Sequence, residues 1–191
     1  MAIPSLHHRI TVEEYEQMIA DGVLTENDRV ELIAGEIVPM AAFGIGHLNS
    51  VNYLNKRFAN LEEARLTAIV SVQNSIRLPP DWEPQPDIAL LRDAPYRAVP
   101  GVADVLLVIE VADTTRLSER NTKIPRYAAA GIAEAWLVDL VARRVERYSD
   151  PRPDGYDTVV RASLGESLTS ITFPAFTLET DAIVRAADGV R

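Results

Sequence analysis

Apolar side chains recur along this chain with two periods, and the switches between them divide it into elements. Thr11 followed by Glu14 has the form of a capping box and predicts a short helix through Ile19, ended near Gly22. Residues 29–33 and 36–40 read as two strands around a tight Ala34-Gly35 turn. After the glycine-punctuated loop 43–46, Leu48, Val51, Leu54, Phe58 and Leu61 fall at helical spacing and predict a helix from about His47 to Ala64. The β-branched stretch 67–78 predicts one long or bent strand, ended by Pro79-Pro80-Asp81. Residues 87–91 form a second strand, and 93–101, with Pro95 and Pro100, a loop.

The stretch 105–111 is apolar at every position but one, which places it at the centre of a sheet. A helix from about Ser118 to Ala130, closed by Gly131, separates it from a strand at 135–138. Strand, helix, strand is a right-handed crossover, so the two strands are expected to be parallel. Residues 144–148 and 158–164 predict a terminal β pair joined by the turn-rich 150–155. The fold class expected is α/β, an α+β arrangement of helices flanking a central mixed sheet. The 191 residues suit a single domain, with a tail at 1–10, a core at 11–139 and a β-rich part at 140–191.

Composition adds few exclusions. With no cysteine, disulfide frameworks and thiolate metal sites are ruled out. The start, Met1 to Ser5, leads straight into polar residues, and no apolar run approaches the ~20 residues of a membrane span, so a cytoplasmic protein is expected. Nineteen basic against 28 acidic residues give a net charge of −9, so any site for a polyanion must be local and helped by a cation. Arg57, Arg77, Arg92, Arg120 and Arg126 are the candidates for a local basic rim.

The exception within 105–111 is Glu110, which shares a strand face with Leu106 and Val108. A carboxylate there is costly unless paired, hydrogen-bonded or bound to a cation; a strand-end glutamate reaching solvent or an arginine is the plainer alternative. Asp87 opens the preceding strand after Pro86, and in an antiparallel pair it would lie ~5–8 Å from Glu110. A divalent cation resolves the repulsion between two such anions, although aspartate after proline is also an ordinary turn residue. Lys123 lies early in the crossover helix, where it can reach back over the sheet end or simply pair with Glu119 on the surface. Trp136 and Tyr127 read as core residues.

Taken together, Pro86-Asp87, Glu110-Val111 and Lys123 resemble the PD-(D/E)XK nuclease superfamily. More closely, the chain is similar to the Uma-two family, classed among endonucleases. The likeness runs from about Thr11 to Asp139 and includes Glu31 to Glu36, His47, Ile109 to Asp113, Lys123, Tyr127-Ala128, Gly131-Ile132, Glu134, Trp136 and Val138-Asp139. The superfamily's usual lysine, two residues after the second carboxylate, is replaced here by Ala112, and the resemblance places its role on Lys123.

The resemblance implies a restriction-endonuclease-like core, Mg²⁺ or Mn²⁺ held by Asp87, Glu110 and the Val111 carbonyl, and hydrolysis of nucleic acid, DNA before RNA, with a homodimer as the assembly by analogy. It implies that Lys123 orients the attacking water or stabilises the charge developing on phosphorus, and that Glu31 extends the metal shell. Read from the residues alone, Glu31 is on a solvent face and His47 is a cap or solvent residue. The other functional class left open is a catalytically silent nuclease fold used for binding or assembly.

Overall fold

A computed structural model describes residues 8–25, 27–40, 42–62, 67–113 and 119–190, with the backbone alone at 119 and 120. Helix α1 (Val12–Ala20) is closed by the expected capping box: Glu14 N–H donates to Thr11 Oγ1 at 3.2 Å and Thr11 N–H to the Glu14 carboxylate at 2.9 Å. Strands β1 (Val30–Ile33) and β2 (Glu36–Pro39) form the predicted hairpin. Its turn residues Ala34 and Gly35 have φ of 53° and 76°, the left-handed pair that a two-residue hairpin needs. A Cβ at Gly35 would lie 2.7 Å from Arg9 Cβ, so position 35 also needs glycine for space.

Helix α2 (Ile45–Ala59) buries His47, Ser50, Val51, Leu54 and Phe58. Its stripe therefore begins at His47; Leu48, which the spacing also allowed, is 40% exposed. The helix ends at Ala59, before the predicted Ala64, which lies outside the described residues. The strand expected over 67–78 is only β3 (Ala68–Val72): Gln73, with φ of 52°, turns the chain away, and Arg77 and Leu78 keep single bridges to Gly101 and Trp82. Strands β4 (Ile88–Arg92) and β5 (Val105–Ala112) follow the prediction closely.

The described part of the expected crossover helix is not α-helical throughout. A π-helical turn over Glu119–Lys123 leads into helix α3 (Ile124–Ala130), which Gly131 closes at φ of 90°. The predicted start at Ser118 lies outside the described residues. Strands β6 (Glu134–Asp139), β7 (Arg144–Arg152) and β8 (Gly155–Ala162) complete the main sheet. Strands β9 (Ser167–Thr169) and β10 (Thr177–Glu179) and helix α4 (Thr180–Ala187), none of them predicted, finish the chain.

The main sheet has the order β3-β4-β5-β6-β7-β8. Only β5 and β6 are parallel, as the crossover requires. Helices α2 and α4 cover one face, packing Leu54, Phe58 and Ile183, with Phe176 from the segment before β10, on Leu90, Ile109, Val111 and Trp136. Helix α3 covers the other, where Ile124 and Tyr127 meet Val108, Ala112, Ala135 and Leu137. Both faces being buried explains why β5 is apolar at every position but Glu110. A register shift between Leu90 and Leu91 displaces the alternation at the start of β5, and Leu106 packs with the α2 layer rather than with Val108. Among the described residues no helix is long and apolar enough to cross a membrane.

At the start of β6, the buried Glu134 carboxylate accepts from Trp136 Nε1 at 2.6 Å, Ser170 Oγ at 3.0 Å and the N–H groups of Ile171 and Thr172 at 3.1 and 2.8 Å. It thereby ties the segment before β10 to the sheet. Replacing Glu134 with Ala strands these donors and should lower the unfolding free energy by about 3 kcal/mol or more, measured by urea denaturation. The exposed Arg152–Asp157 pair serves as the control: Asp157→Ala should leave the urea midpoint nearly unchanged.

Candidate functional site

The antiparallel ladder of β4 and β5 ends on the rung Ile88–Ile109. One step further, Asp87 faces Glu110, and after that Pro86 faces Val111. Leu140 N–H donates to Ala112 O, so alternate residues, Val111 among them, direct their N–H and C=O toward β4. Proline has no N–H, so Pro86 offers the Val111 carbonyl no ladder donor. The Val111 N–H donates instead to Asp87 Oδ2 at 2.8 Å. Asp87 and Glu110 thus come together at the sheet end, as the strand pairing predicted, on a rung of the kind that brings side chains closest.

Asp87 is 3% exposed, and its second oxygen, Oδ1, lies 2.8 Å from His47 Nε2 and accepts from Gln73 Nε2 at 3.4 Å. His47 is fully buried and stacks on Phe43 at 5.3 Å. The cap or solvent role expected for His47 is therefore corrected. Four residues before Val51, it occupies the first position of the buried stripe of α2, a place equally open to Leu48 by spacing alone.

Glu110 is 1% exposed among the apolar side chains under α3. Tyr127 OH donates to its Oε1 at 2.5 Å, and Lys123 Nζ stands 3.7 Å from the same oxygen. Burial is the main cause that pushes the Glu110 carboxyl up to about 7; Lys123 opposes the rise, and Asp87 and then Glu31 add to it. Tyr127 in turn is pushed well above the usual tyrosine range, first by burial and then by Glu110. Tyr127 is core, as expected, but its hydroxyl belongs to this cluster. The signal lay in its spacing, four residues from Lys123, which puts both on one helical face.

Lys123 Nζ donates to Glu31 Oε1 at 2.8 Å, so it reaches Glu31 and Glu110 rather than a midpoint between Asp87 and Glu110. Glu31 is 8% exposed, against the solvent face expected from the alternation of β1. The hairpin docks through a bridge between Leu32 and Glu83, and Gln85 N–H donates to Glu31 Oε1 at 2.6 Å. Burial of a strand's polar face by a neighbouring segment is invisible to alternation within the strand.

The five arginines expected as a basic rim are committed elsewhere or undescribed. Arg57 donates to Thr177 O, Arg92 to Ala103 O and Arg126 to Leu78 O and Pro79 O, while Arg77 meets Glu13 and Glu16. The Arg120 side chain lies outside the described residues.

The donor set facing the sheet end, Asp87, Glu110 and the Val111 carbonyl, is all oxygen, which suits a hard cation. Among the described residues no group of three or more His, Cys, Asp or Glu side chains is arranged to hold a metal ion. An ion here would rest on two carboxylates and a carbonyl and keep much of its own water, as Mg²⁺ does.

The model of the Uma2 family, described as "Putative restriction endonuclease", matches residues 12–181. No curated protein matches the sequence. A crystal structure described as a putative nuclease belonging to DUF820 from Anabaena variabilis ATCC 29413 has a TM-score of 0.73 at 14% identity, covering 93% of this chain and 99% of that one. The likeness bears out the restriction-endonuclease-like core expected from the sequence.

The raised Glu110 carboxyl has a signature in the metal-free protein. Its folded value, about 7, lies above its unfolded value, 4.5, so the folded state holds the proton more tightly. Its contribution to stability is complete below the unfolded value and is lost as pH rises toward 7. Urea denaturation in EDTA should show Glu110→Gln gaining on the wild type between pH 4.5 and pH 8, by up to about 3 kcal/mol. An unchanged difference across that window would show that Glu110 is not held protonated.

Proposed function

Because the chain belongs to the Uma2 family, we propose that it is a metal-dependent endonuclease hydrolysing phosphodiester bonds in nucleic acid, with Asp87, Glu110 and Lys123 as its catalytic side chains. The observation that carries this reading is the meeting of Asp87, Glu110 and Lys123 at one sheet end, beside a carbonyl left over by Pro86. Mg²⁺ or Mn²⁺ bound there would polarise a phosphate oxygen and lower the pKa of a water.

In this reading Asp87, Glu110 and the Val111 carbonyl hold the ion. His47 and the Val111 N–H fix the orientation of the Asp87 carboxylate, and Tyr127 fixes that of Glu110. Lys123 turns its ammonium to the attacking water or to the charge developing on phosphorus. Glu31 holds that ammonium in place through its 2.8 Å contact. Glu110 must lose its proton to bind a cation, so activity should rise as pH passes from 6 to 8. The proposal extends to DNA as the polymer, to a homodimer able to address two strands, and to the cytoplasm as its place.

A second reading is a silent nuclease fold. It is favoured by the fact that Lys123 already meets Glu31 and Glu110, so two of the three acids have a counter-charge without a metal. A Mn²⁺ titration paired with cleavage assays on single- and double-stranded DNA and RNA separates the two. Cleavage should require Mg²⁺ or Mn²⁺ and vanish, together with Mn²⁺ binding, in Asp87→Asn and in Glu110→Gln. Lys123→Met should abolish cleavage while leaving Mn²⁺ affinity within about tenfold. Absence of cleavage of any polymer selects the silent fold, with or without Mn²⁺ binding, and absence of Mn²⁺ binding alone removes the metal-dependent reading.

A further inference from the structure

Beside the acids, a cleft of about 430 Å³ opens between the end of α1, the β1–β2 hairpin and the segments flanking Asp87. Its volume is in the range of small-ligand pockets. Its polar lining includes Arg29, Gln73, Gln85 and Thr25, and Leu24 and Met40 supply apolar wall. The cleft is continuous with the acid cluster at two points. Gln73 Nε2 donates to Asp87 Oδ1 at 3.4 Å, and the backbone N–H of Gln85 donates to Glu31 at 2.6 Å.

Two of its residues sit in the left-handed backbone region that side chains rarely adopt: Arg29 at φ of 44° and Gln73 at 52°. Such conformations persist where the surroundings demand them, and they concentrate at ligand sites. Both here present long polar side chains. Among the described residues the Arg29 guanidinium meets no carboxylate, and it lies 5.4 Å over the ring of Phe43, which stacks on His47. The Gln85 amide, likewise, makes no side-chain hydrogen bond among the described residues. In a chain of net charge −9, a cation without an acidic partner at the edge of an acid cluster is suited to a phosphate.

We propose that this cleft receives the nucleoside next to the scissile phosphate, Arg29 meeting the adjoining phosphate and the Gln85 amide reading the base edge. A carboxamide presents a donor and an acceptor in one plane, the pattern that pairs with N7 and N6 of adenine. The cleft is therefore an adenine-favouring subsite. The inference rests on the nuclease reading for its ligand class, and binding without cleavage tests it separately.

The experiment measures fluorescence anisotropy of labelled single-stranded dA and dT octamers with the full chain in EDTA, where a metal-dependent enzyme cuts nothing. The wild type should bind the dA octamer about fivefold or more tighter than the dT octamer. Arg29→Ala should weaken both by about tenfold and reduce the salt dependence. Gln85→Ala should bring the two affinities together, and Thr25→Trp, at an exposed rim position, should fill the cleft and weaken both. Thermal melts confirm that each variant is folded; a variant that is not leaves the other two to decide. Absence of binding by the wild type overturns the proposal, as does wild-type binding by the folded variants. A dA-to-dT ratio unchanged in Gln85→Ala overturns the base-reading role. If the variants bind normally while the wild type cleaves with Mn²⁺, the cleft fails and the nuclease reading stands. If the wild type binds as expected but never cleaves, the reverse holds.

Discussion

Three carboxylates, Asp87, Glu110 and Glu31, gather at one sheet end where water is nearly excluded, with one ammonium that reaches two of them, and the rest of the site is arranged around that imbalance. Like charges at such a distance repel strongly in a medium of low dielectric. The protein answers with Lys123 on Glu31 and Glu110, His47 and a backbone N–H on Asp87, and the Tyr127 hydroxyl on Glu110. Even so, the Glu110 carboxyl is held up at about 7. The fold retains at its centre a carboxyl that burial disfavours in its charged form, at a cost to the metal-free protein that grows as pH rises toward 7.

Each member of the cluster comes from a different element, so the site exists only when the elements are assembled. Glu110 rides on the central strand, Asp87 enters the neighbouring one, Lys123 precedes α3 and Glu31 belongs to a hairpin outside the main sheet. The covering helices therefore do more than bury apolar area. Helix α2 delivers His47 on the same stripe that packs Leu54 and Phe58, and α3 delivers Tyr127 on the face that packs Ile124. Burial of those stripes, worth about 1.5–3 kcal/mol for each large side chain, is also what sets the geometry of the acids.

How much of this was legible in the sequence depends on how local the cause is. The capping box of α1, the Ala34-Gly35 turn and the apolar run of β5 are decided by a few neighbouring residues, and each was readable. The pairing of Asp87 with Glu110 followed from two strands and the single connection between them. His47, Glu31 and Gln73 were misplaced because their surroundings come from distant segments. A helical stripe admits two starting residues, a strand face can be covered by another chain segment, and a single left-handed residue ends a strand that composition would continue. The C-terminal β9, β10 and α4 went unseen because they are short and gain most of their stability from docking, including the clamp at Glu134.

Pro86 carries no charge and makes no polar contact of its own through a side chain, yet it determines what the sheet exposes at its end. The β4–β5 ladder ends at Ile88–Ile109, and proline has no N–H with which to carry it on to the Val111 carbonyl. Any other residue at that position would bring a donor, and the zipper of backbone bonds could close over the Val111 carbonyl. The acid cluster would keep all its side chains, while the backbone oxygen beside it would be taken up by the ladder. Position 86 thus shapes the end of the sheet by omission, and a search by charge or reactivity would pass over it.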